Sequence, residues 1–217
     1  PVGAPLADGT PPGRRRDPIA VGPLTHDRLV DEFRMVGISS GETVLVHSSL
    51  RSFGYVVGGA QTVVAALLDA VGEHGTIVVP THTPAWSEPS HWHGKLPAAW
   101  QQVIRDSTPP FHPRVTPTAG MGAIVECFRR WPGCARSWHP RVSFAAIGPH
   151  ATAILDDHSL TGGFGERSPL ARLYERDALV ALVGVDHSVS TMLHLAEHRA
   201  TWPGKQWITQ GASISAD

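Results

Sequence analysis

The sequence predicts an α/β layered fold whose central sheet is covered on both faces, and three observations carry the prediction. Several short runs are apolar throughout instead of alternating: Thr43 to Val46, "GTIVVP" and "ALVALVGV". Strands buried on both faces read this way, whereas a strand with one solvated face alternates. Segments of helical periodicity separate these runs, an order that places helices on either side of a sheet. Finally, 217 residues of which 41% are hydrophobic suffice for one domain with a sizeable core, and no internal repeat divides them.

Residues 1–22, rich in Pro, Gly and Arg, are expected to form a flexible leader, followed by a single domain over 23–217. Thr25 suits the N-cap of a helix over "HDRLVDEFRMVG", with Leu29, Val30, Phe33 and Val36 on one face and Gly37 as its stop. A turn then leads into the strand from Thr43 to Val46. "GGAQTVVAALLDAVG" is the next helix; Val63, Val64, Leu67, Leu68 and Val71 form its buried stripe and Gly72 ends it. "GTIVVPTHT" is a second buried strand. Residues 84–113, dense in Trp, His and Pro, are expected to be one long irregular loop, a kind that usually carries function. "MGAIVECFRRWPG" is helical, "VSFAAIG" a strand and "HATAILDDH" a short helix. "SPLARLYERD" is helical, "ALVALVGV" a third buried strand, and "STMLHLAEHRA" the closing helix.

Composition excludes several classes. A formal net charge of −1 leaves no basic excess for a nucleic-acid or anionic-membrane surface, and the one dense basic run, Gly13 to Arg16, reads as a solvated tail. No stretch approaches the roughly 20 apolar residues of a membrane span, and the opening residues have no apolar core of a signal peptide. Cys127 and Cys134 are too few for a disulfide framework. They are expected to be structural thiols in a reducing compartment, the cytoplasm.

Polar chemistry gathers after two strands. His47-Ser48-Ser49-Leu50 follows the first strand, and the glycine-bearing turn "GYVVGG" leads into a helix. Free backbone N–H groups in such a connection suit phosphate or pyrophosphate; the alternative is an ordinary connection with serine caps, since the lysine and spacing of a P-loop are missing. After the third strand, Ser190 is expected to be the N-cap, which puts His194 in the first helical turn. The positive end of the helix dipole disfavours imidazolium there, so a neutral His194 is a usable general base; a packed histidine among Met192, Leu193 and Leu195 is the alternative. His194, Glu197 and His198 also spell H-x-x-E-H, which opens a zinc hydrolase reading with two ligands on one helical face. That reading needs a third ligand, and after Arg199 only Asp217 offers one.

The run "LVHSSLRSFGYVVGGAQTVVAALLDAVGEHGTIVVPTHT", with "TPTAGMGAIVECFR", "RSWHPRVSFAAIG", "GERSPLARLY" and "STMLHLAE" in order, resembles the aminoglycoside N3-acetyltransferase family, the antibiotic N-acetyltransferases. These blocks cover about residues 25 to 200. The resemblance implies a three-layer α/β/α sandwich around a largely buried sheet. It implies acetyl-CoA-dependent N-acetylation of the 3-amino group of 2-deoxystreptamine antibiotics, conferring resistance, by a cytoplasmic monomer or homodimer using no metal. Carried over by residue, it places His47, Ser48, Ser49, Leu50, Arg51 and Ser52, with Gly54, Val57 and Gly58, along coenzyme A. Thr116, Thr118, Met121 and Gly122 of "TPTAGMG" form the opposite wall. His194 becomes the general base, and the Thr191 hydroxyl assists acyl transfer. His198 lies outside the family pattern.

An acceptor with several positive charges calls for an acidic groove, and Glu88, Asp106, Glu126, Asp157 and Glu166 are the candidates. Trp86, Trp92 and Trp100 are candidates for a wall behind the sugar rings. Members of the family continue past the position of Asp217, where a carboxylate is expected to orient the histidine. The sequence stops within "GKQWITQGASISAD", which reads as the first strand of a hairpin. Glu197 is the substitute at hand, and a coenzyme A-binding module without transfer activity is the non-enzymatic alternative.

Overall fold

The structure, a computed structural model, describes residues 22–92, 96–208 and 211–215. The leader (Gly22 excepted), the arginine run and Asp217 lie outside the described residues.

Five strands form one mixed sheet in the order β3-β4-β2-β1-β5. They are β1 (Thr43–Ser48), β2 (Thr76–Pro80), β3 (Ala135–Arg136), β4 (Phe144–Ile147) and β5 (Leu179–Val183). β1 pairs parallel with β2 and β5, whereas β4 runs antiparallel to both β2 and β3. Because side chains alternate along a strand, β1 feeds two cores. Val44 and Val46 join Ile77 and Val79 on one face; Leu45 joins Val78, Phe144 and Ala146 on the other.

The first face is covered by α1 (His26–Met35), α2 (Ala60–Val71) and α4 (Gly122–Phe128), through residues such as Phe33, Val63, Leu67 and Phe128. The second is covered by α5 (Ala151–Leu155), α6 (Pro169–Glu175) and α7 (Met192–Arg199), through Ile154, Leu170, Leu173 and Leu195. The expected three layers are present. Thr25 is the N-cap of α1 and Gly72 the C-cap of α2, as their sequence signals require. Ser168 caps α6, its hydroxyl accepting from Ala171 N, and Pro169 takes the first helical position.

Four expectations need correction. β5 is not a third buried strand: it is the sheet's edge, with Leu179 and Val180 exposed. An apolar run occurs at an edge as well as between two covered faces, and composition does not separate them. Val36 is exposed because α1 ends at Met35 and Val36 is already its C-cap. Residues 84–113 are not wholly irregular, since α3 (Ala98–Ser107) lies within them between Pro97 and Pro109. Among the described residues after α7, the expected hairpin strand amounts to one isolated bridge from Ile214 to Phe111.

Candidate active site

A cleft of about 1090 Å³ opens at the carboxyl ends of β2, β1 and β5, the position where α/β sheets generally hold ligands. It is at the upper end of the usual range for small-molecule sites, roughly 300–1,000 Å³. β1 delivers His47, Ser48 and Ser49 directly from its end, and the one-turn 3-10 helix Leu50–Phe53 carries on with Leu50 and Arg51. Gly54 closes this wall in the left-handed region, φ +78°. The facing wall is Gly120, Met121 and Gly122 at the start of α4, where both glycines again have positive φ. No atom crowds a Cβ at either position, so the backbone path, not space, asks for glycine there. The third side is the turn from His187 to Ser190 and the first turn of α7.

His194 and Glu197 line the cleft together. The His194 Nδ1–H donates to Glu197 Oε2 at 2.6 Å, one helical turn away, where residues i and i+3 meet. In the neutral ring the lone pair is then on Nε2. The imidazole also stacks on Phe164, with ring centroids 4.7 Å apart and planes 19° from parallel. Glu197, the substitute at hand in the sequence, does reach the imidazole from within the helix. The N-cap is Thr191, not Ser190, a shift of one residue that keeps His194 in the first turn.

Thr191 points its backbone N–H and its hydroxyl at His47, with Nε2 at 3.4 and 3.3 Å. An acceptor for an N–H must be unprotonated, so His47 carries its proton on Nδ1. Burial pushes the His47 pKa down to about 4, consistent with a neutral ring. The contact ties the end of β1 to the start of α7, so the two predicted clusters of polar chemistry form one site.

The remaining predicted residues divide. Ser52 faces away and donates to Gly184 O at 2.6 Å, tying the 3-10 turn to the end of β5. Val57 and Gly58 belong to the turn before α2, where a Cβ on Gly58 would meet Thr62 Oγ1. Thr116 is buried, its Oγ1 accepting from His112 N at 3.0 Å, and Thr118 donates to Glu126 Oε1 at 2.5 Å. Both support the wall from behind, where the half-buried Arg136 guanidinium donates to Thr81 O, Thr116 O and Pro113 O over the Phe111 ring.

None of the five acidic candidates lines the cleft; each has a local partner. Glu88 takes a forked contact from Arg105, Glu126 from Arg129, Asp157 from Arg167, and Glu166 from Arg199, while Asp106 accepts from Gln102. Charge alone does not identify a substrate contact when arginines stand within reach. Trp86 lines a second, smaller cavity of about 340 Å³ with Arg141, His198 and Trp207. Trp92 donates to Ser87 Oγ, and Trp100 is exposed on α3. His198 packs its ring on Trp207 and lines that second cavity, not the cleft that holds His194. Among the described residues no three His, Cys, Asp or Glu side chains are grouped to hold a metal, so the zinc reading finds no third ligand there. Burial raises the Cys127 thiol and pushes Cys134 to about 12, which makes both poor nucleophiles.

Two lining histidines escaped the sequence reading: His82 and His187. His82 stands two residues beyond β2 in "PTHT", the same signal (polar residues just after an apolar strand) that singled out His47 and Ser48.

A model of the aminoglycoside 3-N-acetyltransferase family matches residues 45–217. The chain belongs to this family. It is 45% identical over 194 residues to the SPbeta prophage-derived aminoglycoside N(3')-acetyltransferase-like protein YokD of Bacillus subtilis, covering 88% of this chain and 71% of that one. It is 40% identical to aminoglycoside N(3)-acetyltransferase VIII of Streptomyces fradiae, over 87% of this chain and 66% of the relative. The chain thus spans about two thirds to seven tenths of the length of these family members. Among solved structures, YokD superposes with a TM-score of 0.86 at 44% identity, covering 90% of this chain and 73% of that one. AAC-IIIb, described as a binary with CoASH, gives 0.75 at 32% identity, over 85% and 68%. AAC-VIa, bound to sisomicin, gives 0.76 at 38% identity, again over 85% and 68%. Among the described residues of this family member, no helix is long and apolar enough to cross a membrane.

Proposed function

We propose that this protein transfers the acetyl group of acetyl-CoA to the 3-amino group of a 2-deoxystreptamine aminoglycoside. The single observation that carries the reading is the His194–Glu197 pair on the wall of the cleft at the strand ends. The solved relatives with CoASH and with sisomicin support the two ligand classes.

The cleft's own residues fit coenzyme A. The Ser48 hydroxyl is buried without a hydrogen-bond partner, an arrangement that a bound polar ligand would complete. Arg51 supplies a cation for a phosphate group, and the backbone of Gly120 and Gly122 leaves room for close approach. Bound acetyl-CoA supplies the activated acyl group; the chain does the rest. Glu197 holds the His194 ring with Nδ1 protonated and Nε2 free. Nε2 then takes a proton from the acceptor's amine, which attacks the thioester carbonyl. The new N–C bond forms, the C–S bond breaks, and coenzyme A leaves as its thiolate, to be protonated afterwards. The carboxylate stabilises the imidazolium formed in between. Phe164 fixes the ring plane by stacking.

A thiol-release assay with acetyl-CoA and gentamicin- or kanamycin-type acceptors tests this. Turnover that His194→Ala abolishes is expected. Coenzyme A binding without turnover on any 2-deoxystreptamine acceptor would instead favour a binding module.

A further inference from the structure

The described residues contain two side-chain polar atoms that are buried without a hydrogen-bond partner: Ser48 Oγ and His82 Nε2. Both residues line the same cleft. Leaving such an atom unpaired costs about 1–3 kcal/mol, so each one calls for a reason, and a catalytic role or a bound polar group is one. Ser48 belongs to the wall already assigned to coenzyme A. His82 has no assignment.

Its position narrows the partner. His82 follows β2 on the same sheet face as Val78, two residues beyond Pro80, so it shares that face with Leu45 and His47 of β1. Its ring meets Phe144 edge-on at 5.6 Å and tilts on Phe164 at 5.4 Å. Phe164 in turn stacks on His194 at 4.7 Å. The two imidazoles therefore flank one phenyl ring at the same end of the sheet. Acyl transfer needs a base beside the attacking nitrogen and a hydrogen-bond donor beside the carbonyl oxygen, on two sides of one carbon. His194, oriented by Glu197, takes the first place.

We infer that His82 takes the second, its Nε2–H donating to the thioester carbonyl oxygen of the bound acetyl group. The ring lines the cleft and its Nε2 has no protein partner, so that donor is available to a ligand held there. Burial, with His194 and His47 nearby, pushes the His82 pKa down to about 3, so the ring stays neutral. A ring held neutral in this way is a poor proton acceptor, and a neutral imidazole is a known electrophile toward carbonyls.

This inference rests on the proposed acetyl-CoA reading, and binding measurements separate the two. Calorimetric titration of the full chain with acetyl-CoA and, separately, with coenzyme A at neutral pH should give about threefold to tenfold tighter binding of acetyl-CoA, the worth of one hydrogen bond. His82→Leu should remove that preference while leaving coenzyme A affinity unchanged, and His82→Gln, whose amide N–H reaches the place of Nε2, should restore most of it. With an accepted amine, His82→Leu should lower kcat by roughly a hundredfold, within the range seen for one oxyanion donor, with the acid limb of the pH profile unmoved. Failure of the wild type to bind coenzyme A would overturn the acetyl-CoA reading itself. Coenzyme A binding with no preference for the acetylated form, a preference that survives in His82→Leu, or equal losses for both ligands would overturn the role of His82 alone. Should His82→Leu not fold, His82→Phe, which also lacks the donor and keeps a ring in place, decides in the same way: a preference lost at unchanged coenzyme A affinity supports a ligand contact, and a preference retained or equal losses for both ligands refute it.

Discussion

Lowering the pH from about 7.5 to 5.0 should cost this protein several kcal/mol of stability through four histidines that the fold keeps neutral. His139 Nδ1 accepts two backbone N–H groups, from Arg141 and Val142, and burial pushes its pKa to about 4. His158 sits between Ser137 Oγ and Gly163 O, stacked near His139, and burial pushes it to about 3. His47 and His82 are held at about 4 and about 3 by the same cause. Each folded pKa lies below the unfolded value of about 6.5. The unfolded chain therefore binds more protons below that point, so the stability is complete above about pH 6.5 and is lost as the pH falls toward the folded values. For one such group the loss by pH 5.0 is about 2 kcal/mol. Four would lose about 8 kcal/mol at most, and solvation of His47 and His82 at the cleft reduces the expected total to about 4–6 kcal/mol. That is comparable with the whole stability of a typical domain, about 5–15 kcal/mol. Urea unfolding followed by tryptophan fluorescence at fixed ionic strength measures it. The paired carboxylates act in a lower window. Arg105 holds Glu88 at about 2, and in Glu126 hydrogen bonds from Arg129 and Thr118 outweigh the effect of burial to give about 2. Stability that is level from pH 7.5 to 5.0 and falls only below pH 4 would refute the histidine argument.

Three further outcomes are expected. Glu197→Gln keeps the side chain's size but removes the charge that stabilises imidazolium, so kcat should fall by about 10²- to 10⁴-fold while coenzyme A affinity by calorimetry stays within twofold. Ser48→Ala removes an unpaired buried hydroxyl, so the free protein should be as stable or slightly more so by urea titration, whereas coenzyme A binding should weaken by about threefold to tenfold. Arg136→Met leaves Thr116 O and Pro113 O without the guanidinium donor, while Thr81 O keeps Ser143 Oγ, and should destabilise by about 2–4 kcal/mol. Thermal melts would show it.

The layered fold was legible because its signals are local. Apolar runs such as "TIVVP" need no partner to be read as buried, and Thr25 and Gly72 mark helix ends by residue type. His194 and the "HSSL" segment were legible for a related reason: polar residues directly after an apolar strand, or in the first turn of a helix, stand where sheets of this type open. The acidic candidates failed because an isolated carboxylate carries no sign of its partner. Arg105 is 17 residues from Glu88, and Arg199 is 33 from Glu166. The same limit hid the edge position of β5, whose composition equals that of an interior strand.

The sequence by itself determined the element types, their order, the two-sided burial of β1 and β2, and the presence of a helix whose first turn holds His194. Only the tertiary structure decided which polar groups meet. It set the Thr191 N–H against His47, 144 residues away, placed Phe164 against His194, and brought His82 of a neighbouring strand to the same wall. The reason is physical: periodicity and capping act over one or two turns of chain. Register, strand order and the docking of helices on a sheet depend on contacts that close only when distant segments pack.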